Sequence, residues 1–189
     1  MLEASIQDKG LVIDILTQSF IDNKSVNYII PQDGRRVERI RKLMAYSFDV
    51  CKLYGEVFFC DDKKACAMIV YPERKRVSLM SVWFDIKFIF LSIGIFNISK
   101  AVKREAAIKE MHPPGLITYL WFIGVKPVEQ HKGSGTSLLT EIINLNKKNG
   151  RVVCLETSTE ENLSWYKKNG LEIYTEMDFG YKLYCLQSV

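Results

Sequence analysis

Two glycines one residue apart, Gly133 and Gly135, stand in the run EQHKGSGTSLL from Glu129 to Leu139, behind His131 and Lys132 and among the hydroxyls of Ser134, Thr136 and Ser137. That combination suits an anion. The first N–H groups of a helix have no partners inside it and carry a positive partial charge. Glycines there let the backbone bend until several N–H groups converge on one ligand. Lys126, His131 and Lys132 add charge around the same place, and the natural ligand is a phosphate or pyrophosphate. The Walker pattern GxxxxGK[ST] is absent, and the dinucleotide pattern GxGxxG fails because Leu138 stands where its third glycine belongs. An ordinary glycine-containing strand-to-helix turn is the competing reading. Downstream, LETSTEENLSWYKKNGL (Leu155 to Leu171) carries a carboxylate, Glu156, and then Asn162 and Tyr166 one helical turn apart.

The elements that position these residues follow from hydrophobic spacing. Leu116–Val125 is apolar on both faces and predicts a central buried strand. A helix is expected over Gly135–Asn149, ended by Asn149-Gly150. Val152–Thr157 reads as a strand, and Ser158-x-x-Glu161 as a capping box opening a short helix that stops at Gly170. Leu171–Met177 and Phe179–Leu186 read as a final strand pair. In the front half, Asp8–Phe20 and Asp33–Tyr54 carry helical apolar stripes, with Asp33 as the expected N-cap of the second. Glu56–Cys60 and Ala65–Tyr71 read as a hairpin around Asp61–Lys64. A very apolar segment, Val82–Ile98, reads as a buried or groove-lining helix in preference to a membrane-surface one. Asp85 and Lys87 interrupt it, and a span wants about 20 apolar residues. A charged helix, Ile98–Met111, ends at Pro113-Pro114-Gly115. The order predicts one mixed α/β domain over residues 1–189 with a helix-rich N-terminal half.

Composition narrows the function. At 189 residues, 48% hydrophobic and 25% charged, the chain has the make-up of one soluble globular domain, and its net charge of +4 is mild. No signal peptide or membrane span is expected. The five cysteines form no CxxC pair, and His112 and His131 are not spaced as ligands, so no metal is expected. They read as buried reduced thiols of a cytoplasmic protein. The basic runs GRRVERIRK (Gly34 to Lys42) and ERKR (Glu73 to Arg76) come with no base-reading motif or aromatic ladder, so nucleic acid is not an expected partner.

The pattern Gln130-x-x-Gly133-x-Gly135, placed after a strand ending Gly124-Val125-Lys126-Pro127, resembles the acetyl-CoA-binding signature R/Q-x-x-G-x-G/A of the GNAT (Gcn5-related) N-acetyltransferases. The block Leu155 to Leu171 is similar to their later elements, a strand followed by a helix with an Asn and a Tyr four residues apart. The chain departs from the usual form at His131, where glycine is common. The resemblance covers about residues 116–178. Together GVKP, LETS and NLSWYKKNGL are most similar to the puromycin N-acetyltransferase-like branch, although the front half supplies no matching motif.

The resemblance implies a mixed-sheet acyl-CoA N-acyltransferase fold, with acetyl-CoA as co-substrate and no metal. The backbone N–H groups of Gln130, His131, Lys132, Gly133, Ser134, Gly135 and Thr136 would bind the pyrophosphate. The backbone of Ile123, Gly124 and Val125 would pair with the pantetheine arm, with Gly124 allowing close approach or a bulge, or only relieving packing. Asn162 would hold the cofactor or a water, and Tyr166 would be the general acid to the departing thiolate, unless it is simply a core residue. A base is wanted because a lysine-like amine is neutral in only about one molecule in 2,500 at pH 7. Glu156 is the candidate, with a structural carboxylate as the alternative. Cys154 has no adjacent base, so transfer is expected to be direct. The aromatic run Trp83, Phe84, Phe88, Phe90 and Phe96, with Tyr119 and Trp121, reads as core or as the wall of a pocket for a bulky or hydrophobic amine. The expected acceptor is a primary amine of a small molecule or peptide. A non-catalytic acyl-CoA-binding or sensing module is the alternative. Family habit makes a homodimer an expectation as well.

Overall fold

The computed structural model describes residues 1–189. Seven strands form one sheet in the order β1-β2-β3-β4-β5-β7-β6: β1 (Leu2–Glu3), β2 (Gly55–Phe59), β3 (Ala65–Val70), β4 (Ile117–Val125), β5 (Val152–Thr157), β6 (Leu171–Asp178) and β7 (Lys182–Ser188). Every neighbouring pair is antiparallel except β4 and β5. The helices are α1 (Lys9–Phe20), α2 (Lys24–Ile29), α3 (Arg36–Tyr54), α4 (Leu79–Phe88), α5 (Ile98–Glu110), α6 (Ser134–Lys148) and α7 (Leu163–Lys168).

Side-chain alternation along the strands divides the core in two. On β3, Cys66, Met68 and Val70 pack with α1 and α3, whereas Ala65, Ala67 and Ile69 pack on the opposite face with α6. On β5, Val153 and Leu155 join the α6 side while Cys154 faces the α1–α3 side, so Glu156 shares the parity of Cys154.

Two irregularities shape the centre. The parallel pairing of β4 with β5 covers only Ile117–Tyr119 against Val152–Cys154, after which the strands continue without pairing to each other. In β4, Leu120 pairs with Ile69 and Phe122 with Met68, which leaves Trp121 as the extra residue of a β-bulge. The bulge breaks the alternation, so Trp121 and Phe122 both pack on the α1–α3 side.

Several expectations need correction. Ser158 is not a helix cap: it is buried, and its hydroxyl accepts the N–H of Ser25 at 3.3 Å. Asp33 lies before α3 instead of capping it, accepting the N–H of Arg35 and pairing with Arg39 at 3.1 Å. Val82–Ile98 is not one buried helix. Helix α4 gives way to a π-helical turn at Ile89–Ile93 and a break at Gly94, whose φ is 70°. α4 buries no residue completely. The short elements β1 and α2 carry no periodic signal and were not expected. All five cysteines are free and buried.

Candidate functional site

A cavity of about 730 Å³ lies between the α1–α3 layer and the sheet and is walled on its outer side by α4 and α5. Its floor is Tyr119, Trp121 and Phe122 of β4 with Glu156 of β5, and Phe20, Tyr46 and Phe88 stand around it. The bulge at Trp121 makes this floor, since regular alternation would have sent one of the two consecutive aromatics to the opposite face. Tyr46 stacks on Phe88 at 4.4 Å between centroids and donates its hydroxyl to Asp85 at 2.8 Å, which fixes α4 against α3.

Glu156 is the chemically distinctive group here. Its side chain is only 4% exposed. One carboxylate oxygen, Oε2, accepts the Tyr119 hydroxyl at 2.7 Å, while Oε1 has no partner. The nearest candidate for Oε1 is His112 Nε2 at 4.0 Å, itself buried and unpartnered. Burial pushes the carboxyl up to about 7; the Tyr119 hydrogen bond and the charge of Arg104 oppose that rise, and Glu105 adds to it. Burial also lowers the pKa of His112, which leaves a neutral imidazole at pH 7. Glu156 and His112 therefore do not form an ion pair at that pH. The result is a carboxylate that exchanges a proton near neutrality at the edge of an apolar cavity.

Arg104 anchors the outer wall. From α5 its guanidinium donates to the Ser25 hydroxyl and to Tyr181 at 3.2 Å, joining α5, α2 and the β6–β7 hairpin. Sequence reasoning missed Arg104 and His112, and treated Tyr119 only as wall.

The glycine loop lies beyond the end of β4. His131 has φ 62° and Gly133 φ 93°, so the usual glycine at the first position is replaced by a residue that adopts the left-handed conformation regardless. Gly135 has a different requirement: a Cβ there would come within 3.0 Å of Val125, because the first turn of α6 packs on the end of β4. From His131 to Thr136 no backbone N–H finds a backbone acceptor, and the first bond of the helix runs from Ser137 to Gly133. Thr136 accepts the Trp165 indole N–H at 2.8 Å, which ties the loop to α7. Lys132 pairs with Glu129 at 3.2 Å, as does Lys64.

The expected cofactor strand is only partly free. The Val125 carbonyl accepts the Ser19 hydroxyl at 2.9 Å and the Gln130 amide at 3.5 Å. No bulge occurs at Gly124. A Cβ there would fall 2.8 Å from Ser19 Oγ and 2.9 Å from Leu16, so its lack of a side chain serves the packing of α1. Ile123 packs on the α6 side. Tyr166 is buried in the cluster with Leu138 and Leu139, on the opposite face of the sheet from the cavity. Burial alone raises its pKa, so the phenol stays protonated. Asn162 is exposed at the start of α7. The structure thus sets Glu156 and Tyr166 on opposite faces of the sheet.

No family model matches the chain. Solved structures do. The histone acetyltransferase HPA2 and related acetyltransferase from Corynebacterium glutamicum superposes with a TM-score of 0.70 at 14% identity, over 99% of this chain and 93% of that one. Arylalkylamine N-acetyltransferase 2 from Aedes aegypti gives 0.62 at 16%, over 99% and 96%. PaiA N-acetyltransferase from Thermoplasma acidophilum, in complex with coenzyme A, gives 0.56 at 16%, over 98% and 95%. The chain has the GNAT acyl-CoA N-acyltransferase fold.

Proposed function

We propose that this chain is an acetyl-CoA-dependent N-acetyltransferase that transfers the acetyl group directly to a primary amine held in the aromatic cavity. The observation that carries the reading is Glu156: a buried carboxylate with a pKa of about 7, bonded on one oxygen and open on the other, at the cavity floor. Acetyl-CoA would supply the activated acyl group. The N–H groups from His131 to Thr136 fit its pyrophosphate, since none has a backbone acceptor. The gap between β4 and β5 suits the narrow arm between the pyrophosphate and the reacting centre.

Glu156 takes a proton from the incoming ammonium, whose neutral fraction is otherwise very small. The freed amine attacks the thioester carbonyl, and Tyr166 donates a proton to the sulfur from the opposite face as the C–S bond breaks. The second proton of the attacking nitrogen, lost as the amide forms, returns through water to restore the Tyr166 phenol. Burial raises the pKa of Cys154, leaving an unreactive thiol, which supports direct transfer. The apolar, aromatic lining supports a hydrophobic or arylalkyl amine, a class named in one of the superposed enzymes. Within the fold, the GVKP, LETS and NLSWYKKNGL segments favour the puromycin N-acetyltransferase-like branch.

The test is thiol release from acetyl-CoA with a panel of arylalkylamines, puromycin, amino acids, aminoglycosides and short peptides, for the native chain and Tyr166→Phe. We expect release with one apolar amine class. The variant should lose about 10²–10⁴-fold in kcat with an unchanged melting temperature, because the phenol has no hydrogen-bond partner to lose. Acetyl-CoA binding without turnover on any amine would convert the reading to a binding module, and no binding would overturn it.

A further inference from the structure

The outer surface of α4 and α5 is unlike the rest of the molecule. Leu79 and Phe96 are 94% and 93% exposed, and Trp83, Phe90 and Ile95 are exposed beside them. Leu79, Trp83 and Ile86 of α4 and Phe90 of the π-helical turn that follows it keep helical spacing, so they form one outward stripe opposite the face that walls the cavity. Scattered exposed apolar residues are ordinary, but a contiguous patch of aromatic and aliphatic tips marks a contact surface.

Charge identifies what covers it. Residues 72–111 hold eight Lys and Arg against four Asp and Glu, while the whole chain holds 26 against 22, so this segment carries the entire net charge of +4. Three of its four acids are engaged: Glu73 pairs with Arg151 at 2.8 Å, Glu105 with Lys75 at 3.9 Å, and Asp85 accepts the Tyr46 hydroxyl. Lys87, Lys100 and Lys103 make no ion pair, and Lys87 stands over the Trp83 ring at 5.0 Å, within the apolar stripe. No single helix is long and apolar enough to cross a membrane. The α4 and α5 segments meet at a bend of 104°, with Gly94 at the corner. Tryptophan, phenylalanine and leucine beside unpaired lysines are the composition of a helix that lies at the boundary between headgroups and acyl chains. The centre of an interface between two copies of a chain would be depleted of lysine.

We propose that the α4–α5 face docks this protein on an anionic lipid bilayer, with the apolar stripe entering the headgroup boundary and the unpaired lysines meeting lipid phosphates and carboxylates. The inner faces of the same helices wall the cavity, so membrane contact and the cavity share one element. This inference does not depend on the acetyltransferase reading, and it fails or stands without it.

The test is co-sedimentation of the full chain with phosphatidylcholine vesicles, with and without about 30% phosphatidylserine. We expect binding to the anionic vesicles that weakens on adding about 0.5 M salt. Lys87→Gln and Lys103→Gln should each lower the partition coefficient about fivefold, and the doubly substituted chain about 25-fold. Trp83→Ser with Phe96→Ser should abolish binding while the circular dichroism spectrum stays unchanged. Failure of the native chain to sediment with anionic vesicles would overturn the proposal, as would equal binding to neutral ones. A concentration-dependent dimer that Phe96→Ser disrupts, without vesicle binding, would assign the face to a second copy and equally overturn it.

Discussion

Glu156→Gln separates folding from chemistry in one variant. An ordinary glutamate loses its proton near 4.5, whereas the folded chain holds the Glu156 proton to about 7, chiefly because the site is buried. The folded state therefore binds more protons than the unfolded state between those values, and native stability falls as pH rises through that window. At 1.36 kcal/mol per tenfold change in proton affinity, the interval from 4.5 to about 7 is worth about 3 kcal/mol. Glutamine keeps an acceptor for the Tyr119 hydroxyl, and its amide can turn toward the unpartnered His112 nitrogen. The variant should match the native chain near pH 4.5 and exceed it at pH 8 by about 3 kcal/mol, or 6–12 °C in Tm for a chain of this size. Its kcat/KM should fall about 10²–10⁴-fold, while the native profile rises with pH to a plateau above about 7. Thermal melts across pH 4.5–8, run beside thiol-release assays, measure both. A variant less stable than the native chain at pH 8 would refute the assignment of Glu156 as a carboxylate held uphill for chemistry. So would full activity in the variant.

Tyr119→Phe removes the hydrogen bond that favours the ionised form of Glu156, so the acidic limb of the kcat/KM profile should move up by about one pH unit. An unchanged or downward limb would show that the bond does not tune the base. Gly124→Ala drives a Cβ into Ser19 and Leu16, which should cost about 1–3 kcal/mol with acetyl-CoA affinity nearly intact. Normal melting with a weakened acetyl-CoA Kd would mean that Gly124 serves the cofactor and not α1.

The glycine loop and Glu156 were legible because each is a local anomaly. Paired glycines at a helix start, and a carboxylate in register with buried strand residues, stand out without knowledge of the partners. His112 was invisible by the same standard. It lies in a proline-rich connection, and only the return of α5 across the cavity brings it to Glu156. Ser158 misled for the converse reason: Ser-x-x-Glu satisfies the local rule for a cap, but the tertiary bond to Ser25 outweighs it. The bulge at Trp121 could not be read from a strand with aromatics at 119, 121 and 122, since bulged and regular registers bury the same residue types. Val82–Ile98 reads as a buried or groove-lining helix, and of the two the lining role is the one the structure shows. It forms a thin wall with one apolar face on the cavity and, unforeseen in the sequence, another on the surface.

The departures from a regular fold gather at one place. The sheet is regular where β2 meets β3, yet β4 bulges at Trp121 and stops pairing with β5 after Tyr119, and the cavity lies just there. Four buried side-chain polar atoms lack partners, and two of them, on Glu156 and His112, sit 4.0 Å apart beside that break. Each such atom costs about 1–3 kcal/mol relative to a satisfied one. A leucine at 156 would remove the buried charge, and a phenylalanine at 112 would pack against Tyr119 without an orphaned nitrogen. A fold that carries both costs, beside the place where β4 and β5 stop pairing, holds the groups ready for something other than folding. Under the proposed function, the partner is an amine with a proton to lose, which a carboxylate that titrates near 7 can accept.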